Sequence, residues 1–191
     1  MESFFDKLNA AETNEDKNTA YEFEAVYSEL DLIKDSVEAK PIRSSSGNEY
    51  IFIPKNCLQT FENIDETCII RFKSTVENLP IDGSVLVSPL SAGDHTDIFS
   101  QDFVETAVWQ MTEADEDMLN YEVTEVSKVQ KLQDQGIFLD YSIQYDDAVV
   151  RNIQFITLKN NNYYIATVSI SENTAEQLGQ GAFTSALSLS V

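Results

Sequence analysis

The sequence predicts an α+β fold: an α/β/α sandwich with a mostly antiparallel sheet, helices packed on it, and an N-terminal amphipathic helix. Three observations predict it. Segments between residues 137 and 170 alternate apolar and polar positions and are separated by two- or three-residue polar turns, as antiparallel hairpins are. Other stretches repeat apolar residues at three- and four-residue spacing, as helices with one buried face do. One-sided strands combined with one-sided helices imply helices laid on a sheet.

Residues 15–38 read as the first helix, with Phe23, Val26, Tyr27, Leu30, Ile33 and Val37 on one stripe and Glu24, Glu29, Asp31, Asp35 and Glu38 off it. Pro41 ends this helix, because the residue before a proline is biased to extended geometry. Arg43-Ser44-Ser45-Ser46-Gly47-Asn48 then reads as a loop or linker. The run Glu49-Tyr50-Ile51-Phe52-Ile53 is a strand stopped by Pro54. Thr67–Phe72 is a second strand, and Ser84–Val87 is a third, stopped by Pro89. Residues 97–112 read as a helix whose face is Ile98, Phe99, Phe103, Val104, Ala107, Val108 and Met111. Asp94 and Asp97 suit the positive end of its dipole.

Four strands follow. Tyr121 to Val129 alternates weakly. Ile137, Leu139, Tyr141, Ile143 and Tyr145 alternate cleanly apart from Phe138. Val149 to Leu158 follows a turn at Asp146-Asp147, and Tyr163 to Ile170 follows the turn Asn160-Asn161-Asn162. Ser171-Glu172-Asn173 opens a last helix, Asn173 and Glu176 fit a capping box, and Ala175, Leu178, Ala182 and Ala186 face the sheet.

Charge narrows the functional classes. The 191 residues hold 33 acids and 12 bases, a net charge of −21, with 42% hydrophobic residues. Residues 1–40 carry −7 and residues 94–125 carry −10, with ten acids and no Lys or Arg, which leaves −4 for the rest. Such a chain is expected not to bind nucleic acid directly, since Lys and Arg drive that binding by counterion release. Anionic membranes repel it. It has no apolar stretch of transmembrane length. The N-terminus lacks the basic and apolar regions of a signal peptide. A cytoplasmic location is expected if Met1 is the natural start. The alternative is an extracytoplasmic lipoprotein whose export signal is not included in the sequence.

The element order from residue 48 onward resembles the PsbP-like superfamily, which takes in photosystem II extrinsic proteins, a yeast Ran-binding import factor and DcrB-like bacterial lipoproteins. The resemblance rests on a short strand ending in proline (Tyr50-Ile51-Phe52-Ile53-Pro54), two further strands, a helix (Phe99 to Met111), one more strand and a three-strand meander. A closing helix, Thr174 to Leu187, comes directly out of Val168-Ser169-Ile170-Ser171-Glu172-Asn173. It implies an α/β/α sandwich over residues 48–191, with residues 1–47 as a helical extension and linker. It implies no catalytic residue, since the superfamily shares no catalytic constellation and its members are mostly binding or assembly proteins.

The residues themselves point the same way. His95, the sole histidine, sits between Asp94 and Thr96-Asp97, where the acids would favour its charged form. The plainer reading is a loop residue beside a helix start. No G-x-S-x-G elbow is present. Read as a calcium loop from Asp115, the acidic turn Glu113-Ala114-Asp115-Glu116-Asp117 lacks the sixth-position Gly and has Val126 at position twelve, where Glu is needed. Cys57 and Cys68 form no C-x-x-C, and one bridge between them is conceivable only in an oxidising compartment. Trp109, Phe99 and Phe103 have core spacing.

No cofactor, metal or catalytic residue is therefore expected. The expected function is a non-enzymatic protein-binding or assembly module with an acidic surface formed by Asp94, Asp97, Asp102, Glu105, Glu113, Asp115, Glu116 and Asp117, recognising a basic protein. The alternatives are an acidic inhibitor of a cationic enzyme (an immunity protein or nucleic-acid mimic) and a small-ligand binder or hydrolase with a pocket beside the sheet.

Overall fold

The structure, a computed structural model, describes residues 39–77, 80–90, 118–130 and 135–191. The helices expected at 15–38 and 97–112 lie outside the described residues. Nine strands are described: β1 (Ala39–Arg43), β2 (Tyr50–Pro54), β3 (Cys57–Thr60), β4 (Cys68–Ser74), β5 (Ile81–Pro89), β6 (Asn120–Gln130), β7 (Gln135–Gln144), β8 (Val149–Lys159) and β9 (Asn162–Ser171). A 3-10 turn (Glu172–Thr174) leads into one helix, α1 (Ala175–Leu187). β1 and β2 form a ribbon. The other seven strands form one antiparallel sheet in the order β3-β4-β5-β9-β8-β7-β6. The α+β class follows directly.

The late meander stands where the alternation places it. β8 and β9 are joined by Asn160 and Asn161 alone, both at positive φ (52° and 60°), as a two-residue primed hairpin turn requires. Asn162 is already the first residue of β9, which shortens the expected three-residue turn. The weak alternation of Tyr121 to Val129 has a geometric cause. The β6–β7 register shifts between Val123 and Glu125, so odd positions share a face before the bulge and even positions after it. Phe138 breaks the pattern of β7 because both faces of that strand are covered. Its ring meets Phe183 of α1 edge-on at 4.8 Å.

β1 and β3 go beyond what the sequence pattern shows. AKPIR and CLQT are too short and too polar to alternate, and pairing with β2 and β4 makes them strands. Pro41 thus sits within a strand, paired with Phe52. The segment read as a loop or linker is the hairpin loop between β1 and β2. In that loop Glu49 accepts from the hydroxyls of Ser44 (2.5 Å) and Ser46 (2.6 Å). β5 runs through Gly83, which would otherwise mark a break. A Cβ there would stand 2.1 Å from the Phe72 ring, so the strand needs the glycine to seat the aromatic.

The capping box at Asn173 and Glu176 does not form. The chain enters α1 through the 3-10 turn, Thr174 occupies the cap position with no side-chain cap bond, and its hydroxyl donates backward to the Ser171 carbonyl (2.9 Å). Ala182, Ala186 and Leu187 of α1 are buried against Phe138, Ile153, Phe155, Ala166 and Val168, with Ala175 and Leu178 packed beside them. The end of α1 also grips β2. Phe52 N–H donates to Ser188 Oγ (2.8 Å), Ser185 Oγ donates to Phe52 O (2.7 Å), and Tyr50 and Ser190 exchange backbone bonds. Helix and ribbon together cover the first face of the sheet. On the second face Ile137, Leu139, Tyr141, Ile143 and Ile156 form a separate buried cluster.

Candidate functional site

Of the acidic surface expected from the sequence, Asp94, Asp97, Asp102, Glu105, Glu113, Asp115, Glu116 and Asp117 lie outside the described residues, as do His95, Trp109, Phe99 and Phe103. The last two acids of the run, Glu122 and Glu125, are on β6, the edge strand; Glu122 is exposed, and Glu125 accepts from the Ser127 hydroxyl. The described residues hold 13 acids and 8 bases, a net of −5, so −16 of the −21 resides outside them.

The described fold has two polar constellations, one on each face. On the first face, β7 and β8 bring Asp140 against Arg151. Asp140 and Ile153 are register partners, as are Ser142 and Arg151, so the pair is diagonal. Arg151 donates through Nε to Oδ1 (2.9 Å) and through Nη2 to Oδ2, a forked contact on a carboxylate only 4% exposed. The hydrogen bonds to Asp140 hold the guanidinium above its ordinary pKa against the opposing effect of burial, with Glu172 and Glu125 adding to the field. Both carboxylate oxygens are engaged by a permanent cation, so Asp140 is spoken for as an ion-pair partner rather than poised as a base.

On the second face, strand register assembles a polar band from residues distant in sequence. One row across the sheet reads Gln154 (β8), Thr167 (β9), Ser84 (β5), Arg71 (β4); the next reads Tyr141 (β7), Asn152 (β8), Ser169 (β9), Asp82 (β5), Lys73 (β4). Gln154, Asn152 and Tyr141 are buried, Thr167, Ser169 and Ser84 are half-buried, and Lys73 and Asp82 are exposed. Gln154 Nε2 donates to Tyr141 Oη and Thr167 Oγ1, both at 3.1 Å, and Ser169 Oγ donates to Asn152 Oδ1 at 2.6 Å. Burial pushes the Tyr141 hydroxyl up from its ordinary pKa, so it remains a neutral donor and acceptor. Sequence reasoning passed over the band because Asn152 and Gln154, alternating with Ile153 and Phe155, look like the solvent side of a strand.

Neither cysteine is paired; Cys57 is buried, and burial raises its thiol to about 11, far from a reactive thiolate. Among the described residues no three His, Cys, Asp or Glu stand together as metal ligands, and no helix is long and apolar enough to cross a membrane.

No protein-family model matches the chain, and no curated protein matches it. Solved structures do. The cyanobacterial PsbP of Synechocystis sp. PCC 6803 (CyanoP) superposes with a TM-score of 0.62 at 14% identity, covering 81% of this chain and 93% of that one. The Saccharomyces cerevisiae Ran-binding protein Mog1p does so at 0.59 and 12%, covering 80% and 90%. The chain has the PsbP-like fold. The PsbP-like likeness extends to LpqN of Mycobacterium tuberculosis, a protein involved in cell envelope biogenesis, at 0.52 and 11%, covering 86% and 96%.

Proposed function

We propose that this PsbP-like protein is a non-enzymatic binding or assembly module that offers an acidic surface to a basic protein. The observation that carries the reading is the partition of charge. The sheet, its ribbon and its helix carry −5, while −16 resides in the remaining segments, −8 on residues 1–38 and −8 on the shorter run 94–117. A field of that sign accelerates encounter with a cationic surface and weakens with salt. The fold adds support, since the PsbP-like Mog1p is a Ran-binding protein. So does the engagement of Asp140, the most deeply buried carboxylate described, in an ion pair rather than in a reactive geometry.

The test is affinity capture at rising salt, with the whole chain as bait and, in parallel, a variant carrying amides at Asp94, Asp97, Asp102, Glu105, Glu113, Asp115, Glu116 and Asp117. Capture of a basic protein that is released by salt and lost in the variant is expected. Capture that ignores both salt and the eight substitutions would overturn the reading.

A further inference from the structure

We infer that the β3 edge of the sheet is the docking site of this chain's own residues 15–38, whose apolar stripe lies along it. Among the described residues β3 pairs with β4 alone. A bare strand edge recruits other chains, and folds guard it with charge, proline, a bulge or a cover. Cys57-Leu58-Gln59-Thr60-Phe61 holds no charged residue and no proline, and the β3–β4 register is regular. Two of its side chains are apolar and open, with Leu58 54% exposed and Phe61 79%. Val76, 40% exposed, extends the strip beyond the start of β3. The Thr75 N–H and hydroxyl both donate to Asn56 O at 2.8 Å, which sets Val76 about level with Lys55. Val76, Leu58 and Phe61 therefore follow one another along the edge at steps of three strand residues, roughly 10 Å each.

Three observations name the occupant. The first is the tether. Residue 38 runs into β1 at Ala39, Ala39 pairs with Pro54, and only Lys55 and Asn56 separate Pro54 from Cys57 of β3. The segment is thus anchored at the Val76 end of the strip, at the millimolar effective concentration of a short linker. The second is spacing. Val37, Leu30 and Phe23 of the stripe stand seven residues apart, about 10.5 Å each in a helix, so they meet Val76, Leu58 and Phe61 in that order. The third is charge. Residues 15–38 hold eight acids and two bases, and Lys40, Lys55 and Lys73 border the strip against Glu62 and Glu77. A second copy fits less well, since β3 offers it a ladder of four residues, a small part of the ~800 Å² per partner of a stable interface. The site uses no residue of 94–117, so it goes beyond the proposed protein-binding role and is tested apart from it.

The test is NMR of the full chain beside its Leu30→Asp and Ser28→Asp variants, Leu30 being on the stripe and Ser28 off it. Leu30→Asp is expected to move the amide resonances of Leu58, Phe61 and Val76 and to speed their exchange with solvent about tenfold, while the rest of the sheet keeps its spectrum. Ser28→Asp should leave them in place. In return, Phe61→Ala should move the amide resonances of Phe23 and Leu30. The parent spectrum should persist on dilution, as a contact within one chain requires. Resonances of Leu58, Phe61 and Val76 that Leu30→Asp leaves untouched, that Ser28→Asp moves equally, or that dilution of the parent chain carries to their Leu30→Asp positions (a contact between chains) would overturn the proposal.

Discussion

The two faces of the sheet solve the same problem differently. On the first face, aromatic rings seat on bare backbone: Phe72 lies on Gly83 and Phe155 on Gly136, each at a distance that leaves no room for a Cβ. The buried carboxylate of Asp140 on this face is gripped by Arg151. On the second face, apolar side chains fill the part beneath β7 and polar ones cross the middle, with one acceptor unmet. The contrast teaches where this chain is fixed by rings packed on backbone and where it is fixed by side-chain hydrogen bonds between neighbouring strands. Neither face meets every hydrogen bond: Thr184 Oγ1 of α1, the helix on the first face, is buried without a partner, as Gln154 Oε1 is on the second.

The contrast can be broken in several places. The largest effect is expected for Phe138→Ala, which removes a fully buried ring from under Phe183 and should cost about 4 kcal/mol in denaturant unfolding. Arg151→Met should cost about 3 kcal/mol, because it strands the Asp140 charge. Adding Asp140→Leu should recover most of that loss, and a double variant as unstable as the single one would mean the pair contributes more than mutual satisfaction. Gly136→Ala should cost about 2 kcal/mol, since the new carbon meets the Ile156 carbonyl at 2.3 Å and the Phe155 ring at 2.4 Å. On the second face Ser169→Ala should cost only about 1 kcal/mol, one hydrogen bond to Asn152. A large loss there would erase the distinction between the faces.

The smallest expected change is in pH dependence. The folded state raises the Cys57 thiol from 9.0 to about 11. Its contribution is therefore complete below pH 9 and is lost as pH rises through that interval. Cys57→Ala should flatten that segment of the stability profile relative to the parent chain, one thiol among the many groups titrating there.

What the sequence makes legible follows from the same physics. Strands with one dry face and one wet face announce themselves, as Tyr163 to Ile170 does. β8, wrapped on both faces, hides its own polar positions, because Asn152 and Gln154 read as solvent-facing when they are buried. β1 and β3 are made by pairing, not by pattern, and β5 begins at Ile81 rather than at the expected Ser84, running through a Gly83 that seats the Phe72 ring of another strand. The bulge after Val123 scrambles an alternation that is otherwise regular. The acidic run was the easiest feature to see in sequence, yet it falls mostly outside the described residues. The polar band was invisible because it exists only across strands.

The bond pattern between Tyr50 and Ser190, reinforced by Ser185 and Ser188 on Phe52, has a consequence for biosynthesis. The ribbon of β1 and β2 is clasped by residues translated long after it. Before α1 is synthesised, Ile51 and Ile53 have no helix end to shelter them, and for much of that time the strands that seat the helix are not yet made. The domain therefore reaches its final form only once α1 has been made, in one late step that joins β1 and β2 to the end of that helix. Until then its most apolar early strand is the segment a chaperone would find.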